Sequence, residues 1–235
     1  MILLVTDTSG KHGSVALARA HEAARPNEAA VIEATVLIEE VPLAGGTFSA
    51  LLVPQISALL SKHGLSKSDL GAFIVVSGPG SFTGLRLGLA VIKGFAEILQ
   101  KPIVPVSLLE VIALGSGAAG RLLSALDAGR SDVYVGTYDV SLDSIQSFRE
   151  QLLSNGEFLS IARGATVATP DENLAALARE AGGSVVSVTL PAAATIAKLG
   201  WRKLQQGVTV SAEQLEANYI RRSDAEIFAK PTLGS

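Results

Sequence analysis

The chain has no cysteine among its 235 residues. This absence excludes disulfide bonds, thiol nucleophiles, iron–sulfur clusters and cysteine zinc sites. Histidine is scarce as well, because His12, His21 and His63 are the only three in the chain and lie at spacings unlike those of metal ligands. The sequence therefore predicts no metal site within this chain.

Net charge and long apolar runs are also lacking. The formal net charge of -3 creates no overall field that would attract nucleic acid. No apolar run reaches the roughly 18 residues of a membrane-spanning helix, and the apolar opening Met1–Val5 is too short for a signal peptide and has no basic flank. We therefore expect a soluble cytoplasmic protein with no membrane contact and no direct binding of RNA by this chain alone.

The apolar segments indicate an α/β chain built from two related halves. The first half begins with strands at 2–6, 14–19 and 31–39, continues with a helix from Thr47, and ends in a βαβ unit from Ala72 to Val106. The second half begins at Ser107 and repeats the pattern of a strand that ends in aspartate, Asp7 in one half and Asp127 in the other. We predict an N-terminal lobe at 1–106, which the tail 207–235 can join, and a C-terminal lobe at 107–206. Further strands are predicted at 122–126, 133–138, 147–153, 166–169 and 184–188, and further helices at 108–114, 155–161, 171–181 and 192–206.

A glycine-rich turn between a strand and a long helix organises the first half. It has the sequence Ser77-Gly-Pro-Gly-Ser-Phe-Thr-Gly-Leu-Arg86, in which Ser81 or Thr83 can cap the helix. The helix carries only a narrow polar stripe, so we expect it to be buried on two sides. Gly84 and Gly88 lie one turn apart, and each costs roughly 1 kcal/mol against alanine inside a helix. Their close spacing favours the approach of a second helix, either within the chain or from a partner.

The two aspartates allow two readings. Asp7, Thr8 and Ser9 in one half and Asp127 and Gly129 in the other could face a shared cleft and hold a nucleotide with magnesium. Alternatively, each aspartate caps a hairpin turn. The chain has neither the Gly-x-x-x-x-Gly-Lys-Ser/Thr phosphate loop nor the Gly-x-Ser-x-Gly elbow of serine hydrolases.

Five strings together resemble the TsaB (YeaZ) family along nearly the whole chain. They are Leu4-Val-Thr-Asp7-Thr-Ser, the glycine-rich string continued to Leu87-Gly, Pro105-Val-Ser-Leu-Leu-Glu110, Asp127-Ala-Gly-Arg-Ser-Asp-Val-Tyr134 and Tyr219-Ile-Arg. The resemblance implies the duplicated fold shared by actin, sugar kinases and Hsp70, with two lobes of mixed sheets flanked by helices. It also implies a role in adding threonylcarbamoyl to adenosine 37 of tRNAs that read codons beginning with A. In that machinery a larger paralogue, TsaD, is catalytic and an ATPase, TsaE, joins the pair.

The same resemblance indicates which paralogue this is. TsaD carries a metal-binding His-x-x-x-His after the long helix, where this chain has Leu108 and Ile112. We therefore expect a non-catalytic subunit that forms a homodimer alone and a heterodimer with a TsaD-like protein, with no required cofactor and with ATP or ADP as a candidate ligand of the cleft. An Arg-x-His-Ser string common in the family is replaced by Gly45-Gly-Thr-Phe-Ser49, so no role of that basic pair transfers. The predicted pairing face consists of Phe48, Leu52, Gly84, Leu87, Gly88, Val91 and Phe95.

The competing prediction is an enzyme that acts alone. One form is a small kinase or ATPase that uses Asp7 and Asp127, and another is a glycoprotein peptidase. The peptidase is disfavoured because it needs the histidines that this chain lacks.

Overall fold

A computed structural model describes residues 1–21, 35–44, 46–141, 144–190 and 192–220. They form two five-stranded mixed sheets, each flanked by helices, as the sequence predicts. No helix in these ranges combines the length and the apolarity needed to cross a membrane.

The first sheet has the order β3-β2-β1-β4-β5. Its strands are β1 (Ile2–Asp7), β2 (His12–Ala20), β3 (Thr35–Ala44), β4 (Leu70–Gly78) and β5 (Ile103–Ser107). β1, β2 and β3 are antiparallel, while β1, β4 and β5 are parallel. Two helices, α1 (Phe48–Lys62) and α2 (Phe82–Leu99), pack on one face of this sheet.

The second sheet repeats this topology in the order β10-β9-β6-β7-β8. Its strands are β6 (Gly120–Gly129), β7 (Asp132–Val140), β8 (Ile145–Ser154), β9 (Thr166–Thr169) and β10 (Ser184–Ser187). In both halves the first strand is central, the next two run antiparallel on one side, and the last two run parallel on the other. The predicted duplication is therefore confirmed by the strand order.

The helices and sheets alternate in five layers. The remaining helices are α3 (Leu108–Gly115), α4 (Asn155–Ala162), α5 (Glu172–Glu180) and α6 (Ala193–Gln205). Helices α3 and α6 lie between the sheets in one continuous apolar core, whereas α4 and α5 cover the outer face of the second sheet. Alternate side chains of β1 point to opposite faces of the sheet. Leu3 and Val5 pack in the central core, while Leu4 packs in the core under α1 and α2.

Helix α6 packs closely on the first sheet. It contacts all five strands of that sheet. The lobe boundaries at 106 and 206 stay a prediction. A Cβ atom at Gly200 would lie 2.4 Å from the Ile74 side chain, so this glycine allows α6 to approach β4 closely. The described part of the tail also returns to the first sheet, where Val210 bridges Ile103 and Leu215 is buried.

Two local expectations are corrected. The third strand continues to Ala44, beyond the predicted end at Glu39, and positions 31–34 of the prediction lie outside the described residues. Thr47 precedes α1 but does not cap it, because its hydroxyl donates a hydrogen bond to the Ala44 carbonyl oxygen at 2.6 Å. Ser81 caps α2 as predicted, since its hydroxyl accepts a bond from the Gly84 amide at 3.3 Å.

Candidate functional site

A cleft of about 900 Å³ opens between the two halves. Its walls are the β1–β2 turn, the starts of α1 and α2, and the β6–β7 hairpin. The cleft mixes basic, hydroxyl and apolar groups, and among the described residues that line it Asp127 is the one carboxylate. The lining residues that bear these groups are Ser9, Lys11, His12, Phe48, Ser49, Ser81, Thr83, Leu87, Asp127 and Tyr134.

Asp7 is buried and points its carboxylate into its own turn. Its Oδ1 accepts hydrogen bonds from the Ser9 amide at 2.8 Å and the Ser9 hydroxyl at 2.6 Å. Burial raises the pKa of the Asp7 carboxyl above its ordinary value of 3.8, while the bonds from Ser9 oppose this rise and the nearby Glu40 carboxylate adds to it. Asp7 is therefore placed to hold the β1–β2 turn.

Asp127 makes the same type of turn in the second half. Its Oδ1 accepts a hydrogen bond from the Gly129 amide at 2.8 Å, two residues ahead, as Asp7 does from Ser9. Unlike Asp7, it is exposed and lines the cleft. Of the five residues predicted to hold a nucleotide, Ser9 and Asp127 line the cleft, whereas Asp7, Thr8 and Gly129 do not. Nucleotide binding stays a prediction.

The turn role of Asp7 predicts a pH-dependent effect of Asp7→Asn. Because the folded-state pKa lies above the unfolded one, the carboxyl contributes fully to stability below the unfolded pKa, and this contribution is lost as the pH rises through the raised pKa. Asparagine keeps the Oδ1 acceptor and never ionises. The free energy of unfolding of the Asp7→Asn variant should therefore increase relative to that of the wild type as the pH rises. Urea unfolding at about pH 4, close to the unfolded pKa, and at about pH 7.5 measures this difference.

Asp7→Ala provides the contrast. It removes the acceptor of the buried Ser9 amide, so we expect it to be about 1 to 3 kcal/mol less stable than Asp7→Asn at both pH values, because neither replacement ionises. If asparagine and alanine destabilise equally, the hydrogen bonds to Ser9 do not hold the turn.

Three glycines at four-residue spacing lie against the β1–β2 turn. A Cβ atom would lie 2.3 Å from the Ser9 carbonyl oxygen at Gly80, 2.2 Å from the Thr8 carbonyl oxygen at Gly84, and 2.2 Å from the Thr8 hydroxyl at Gly88. The Ser81 amide also donates a hydrogen bond to the Ser9 carbonyl oxygen at 2.6 Å. The close approach predicted for Gly84 and Gly88 is thus present, but what approaches most closely is a turn of the same chain, with the Phe48 ring of α1 lying next to Gly84.

Another side of α2 is apolar and largely uncovered by the described residues. Leu87, Val91, Gly94 and Ile98, hereafter the α2 stripe, recur every three or four residues and so share one helix face. Leu87 and Val91 are half-buried, Gly94 has open space beyond its Cα, and Ile98 is 81% exposed. The nearby α1 adds two exposed apolar side chains, Leu51 and Val53.

The residues of the predicted pairing face differ in burial. Phe48, Leu52, Gly84 and Gly88 are buried within the chain, and Leu87, Val91 and Phe95 are half-buried. Gly94 and Ile98 were missing from that prediction, although a helical wheel places them beside Leu87 and Val91. Which residues form an interface stays a prediction.

Two separate sequence strings meet at the start of α2. The Arg86 guanidinium lies 3.7 Å from the centre of the Phe82 ring, and its Nε donates a hydrogen bond to the Tyr219 hydroxyl at 3.0 Å. The Phe82 and Tyr219 ring centres are 5.3 Å apart. Arg221 and Arg222, which follow shortly after Tyr219, lie outside the described residues.

The positions compared with a histidine metal site are part of the core. Leu108 and Ile112 are both buried on α3. In the part of the chain that the structure describes, no three histidine, aspartate or glutamate side chains group as a metal site would require.

Comparisons with known sequences match this chain to proteins of tRNA threonylcarbamoyladenosine biosynthesis. A family model described as "TsaD: tRNA N6-adenosine threonylcarbamoyltransferase" matches residues 42–228. The chain is 31% identical over 193 residues to the tRNA threonylcarbamoyladenosine biosynthesis protein TsaB of Escherichia coli K12, which covers 74% of this chain and 80% of the relative. It is 33% identical over 139 residues to the protein of the same name from Bacillus subtilis 168, which covers 59% of this chain and 55% of that relative.

Solved structures with the same fold span nearly the whole chain. YeaZ from Pseudomonas aeruginosa superposes with a TM-score of 0.71 at 25% identity, covering 93% of this chain and 99% of that one. A second structure, described as an uncharacterized protein with similarity to peptidase YeaZ from Pseudomonas aeruginosa, gives a TM-score of 0.72 at 26% identity, covering 94% and 99%. The predicted duplicated, actin-like α/β fold is confirmed.

Proposed function

Because the chain belongs to the TsaB (YeaZ) family of tRNA threonylcarbamoyladenosine biosynthesis proteins, we propose that it is a non-catalytic partner subunit of that machinery in the cytoplasm. It binds a larger TsaD-like catalytic paralogue, and a TsaE-like ATPase joins the pair. Threonylcarbamoyl transfer to tRNA then takes place on the paralogue, so tRNA meets this chain only through the complex.

The α2 stripe is the observation that carries this proposal. Its exposed isoleucine alone would gain about 1.5 to 3 kcal/mol if fully buried. A Cβ atom at Gly94, on the same face, would meet no neighbouring atom of the described residues within 4 Å, so another helix can approach closely there. An apolar helix face of this kind fits a helical partner surface.

The same face suits pairing with a second copy. The stripe has spacings of four, three and four residues, which are identical in both chain directions. An antiparallel pair with two-fold symmetry would place Val91 against Gly94 and Leu87 against Ile98 of the other copy, so that at the centre one large side chain meets one small residue. Self-pairing and binding of the paralogue would then compete for one surface.

The non-catalytic role is supported by the side chains in place of a metal site. Leu108 and Ile112 are aliphatic and buried, so this chain offers no ligand at those two positions. Asp7 is occupied by its turn, which leaves Asp127 as the carboxylate among the described residues that line the cleft.

Size-exclusion chromatography with light scattering tests the proposal, on the chain alone and mixed with the TsaD-like protein of the same organism. We expect a dimer that converts into a one-to-one heterocomplex. A monomer that ignores the paralogue would contradict the proposal and would favour an enzyme that acts alone.

A second candidate function is binding of ADP or ATP in the cleft. Its volume of about 900 Å³ suffices for a nucleotide, and Ser9, Lys11 and Asp127 supply polar groups. Calorimetric titration with ATP or ADP of the wild type and of the Asp7→Asn variant described above tests whether the cleft binds nucleotide and whether Asp7 takes part. Equal affinity would exclude Asp7 from binding, and no heat with either protein would exclude nucleotide from this cleft.

A further inference from the structure

The last described segment of the chain, residues 210–220, runs from the first sheet to the second lobe. We call it the strap. It begins at β5, where Val210 and Ile103 exchange two backbone hydrogen bonds of 2.9 and 3.3 Å. Leu215 is then buried in the core under α1 and α2, and Ile220 packs against the central core between the sheets.

Asn218 lies where the strap crosses between the halves. Its backbone amide donates a hydrogen bond to the Ser77 carbonyl oxygen at the end of β4, at 2.8 Å. A Cβ atom at Gly78 would lie 2.8 Å from the Asn218 carbonyl oxygen, so the strap backbone is pressed against the glycine-rich turn. On the other side, the Asn218 side-chain amide donates to the Glu150 carboxylate on β8 at 2.7 Å.

Glu150 is itself held by the second lobe. Its other carboxylate oxygen accepts a hydrogen bond from the hydroxyl of the fully buried Tyr138 on β7. The Tyr138 ring lies across Gly136, where a Cβ atom would be 2.4 Å from it. Both oxygens of Glu150 therefore have a donor, one from its own lobe and one from the strap.

The two anchors of Asn218 adjoin the walls of the cleft. Gly78 is two residues before Gly80, which lines the cleft on the first half. Glu150 is two residues before Leu152, the β8 neighbour of the cleft residue Tyr134. An opening of the cleft that moves these walls apart must stretch the contacts of Asn218.

We infer that Asn218 is a latch that holds the two lobes at a fixed opening of the cleft. Its bond to a carboxylate is of the stronger, charge-assisted type. Loss of such a bond shifts an equilibrium roughly ten- to a hundredfold, here toward more open lobes. The inference concerns this chain alone and holds or fails independently of the proposed partner.

Spin labels can measure the distance between the lobes directly. Because the chain has no cysteine of its own, two engineered cysteines are the only sites that the labels can modify. We choose Ser57→Cys on α1 and Ala176→Cys on α5, both exposed helical positions in different lobes. In Asn218→Ala the distance between the labels should increase or broaden by more than about 2 Å. An unchanged distance distribution would overturn the inference.

Glu150→Gln is the second variant, for the case that Asn218→Ala fails to fold. It keeps an oxygen to accept the Tyr138 hydroxyl but presents an amide to Asn218, so it should open the lobes too. Asn173→Ala and Glu180→Gln, at exposed positions of α5, are matched controls and should leave the distances unchanged. If the controls shift the distances as much as the latch variants do, the change does not come from the strap.

Discussion

Gly84→Ala is expected to destabilise the folded chain by about 2 kcal/mol or more, although alanine is the better helix former by roughly 1 kcal/mol. The new Cβ atom would lie 2.2 Å from the Thr8 carbonyl oxygen, which is a backbone atom and cannot rotate away. Moving the β1–β2 turn would also disturb the Ser81–Ser9 hydrogen bond and the Ser9 bonds to Asp7. Urea unfolding at low protein concentration measures the loss.

Gly94→Ala is the control on the same helix. Its new Cβ atom would meet no neighbouring atom of the described residues within 4 Å, so helix propensity acts alone and the variant should gain up to about 1 kcal/mol. The two substitutions are chemically identical and differ in what faces the glycine. Equal effects of the same sign would mean that the turn does not lie against Gly84 in solution.

The glycines show what could be read from the sequence and what could not. Their spacing on the helix predicts a face that something approaches closely, because spacing is a local property. The identity of the approaching group is not local, since Thr8 and Ser9 lie more than seventy positions before Gly84. The sequence therefore suggests the approach of a second helix, from this chain or from a partner, where the closest group in the structure is the β1–β2 turn.

Secondary structure was predicted well where local signals agree. Strand β9 has the predicted bounds of Thr166–Thr169, and α2 begins after the Ser81 cap and ends near Gln100 as expected. The placement of α6 against the first sheet was not predicted, because an amphipathic helix carries no local mark of the sheet that it covers.

The positions of Asp7 and Asp127 could be predicted from the sequence, but the directions of their carboxylates could not. Their places at the ends of β1 and β6 were predicted, and the repeat of the halves supports their equivalence. Whether a carboxylate points into a cleft or into its own turn depends on side-chain direction, which a short string does not encode. Both aspartates accept a hydrogen bond from the amide two residues ahead, and of the two only Asp127 lines the cleft.

Ile98→Glu is expected to weaken pairing on the α2 stripe more than about a hundredfold, both with a second copy and with the TsaD-like paralogue. Ile98 is 81% exposed in the single chain, so a glutamate there stays hydrated and should leave the free energy of unfolding within about 0.5 kcal/mol. In a helix–helix interface the same carboxylate would lose its water without gaining a cation. Binding affinity by calorimetry and stability by urea unfolding separate the two effects.

Ile161→Glu on α4 is the matched control for this prediction. It introduces the same charge in place of the same side chain at another exposed position, but on the second lobe, away from α1 and α2. It should preserve both the self-association and the affinity for the paralogue. If Ile161→Glu impairs pairing and Ile98→Glu does not, the interface lies on the second lobe and the α2 stripe has another role. If neither variant changes pairing, the partner binds elsewhere on the chain, because an unpaired charge buried in a helix seam cannot be energetically silent.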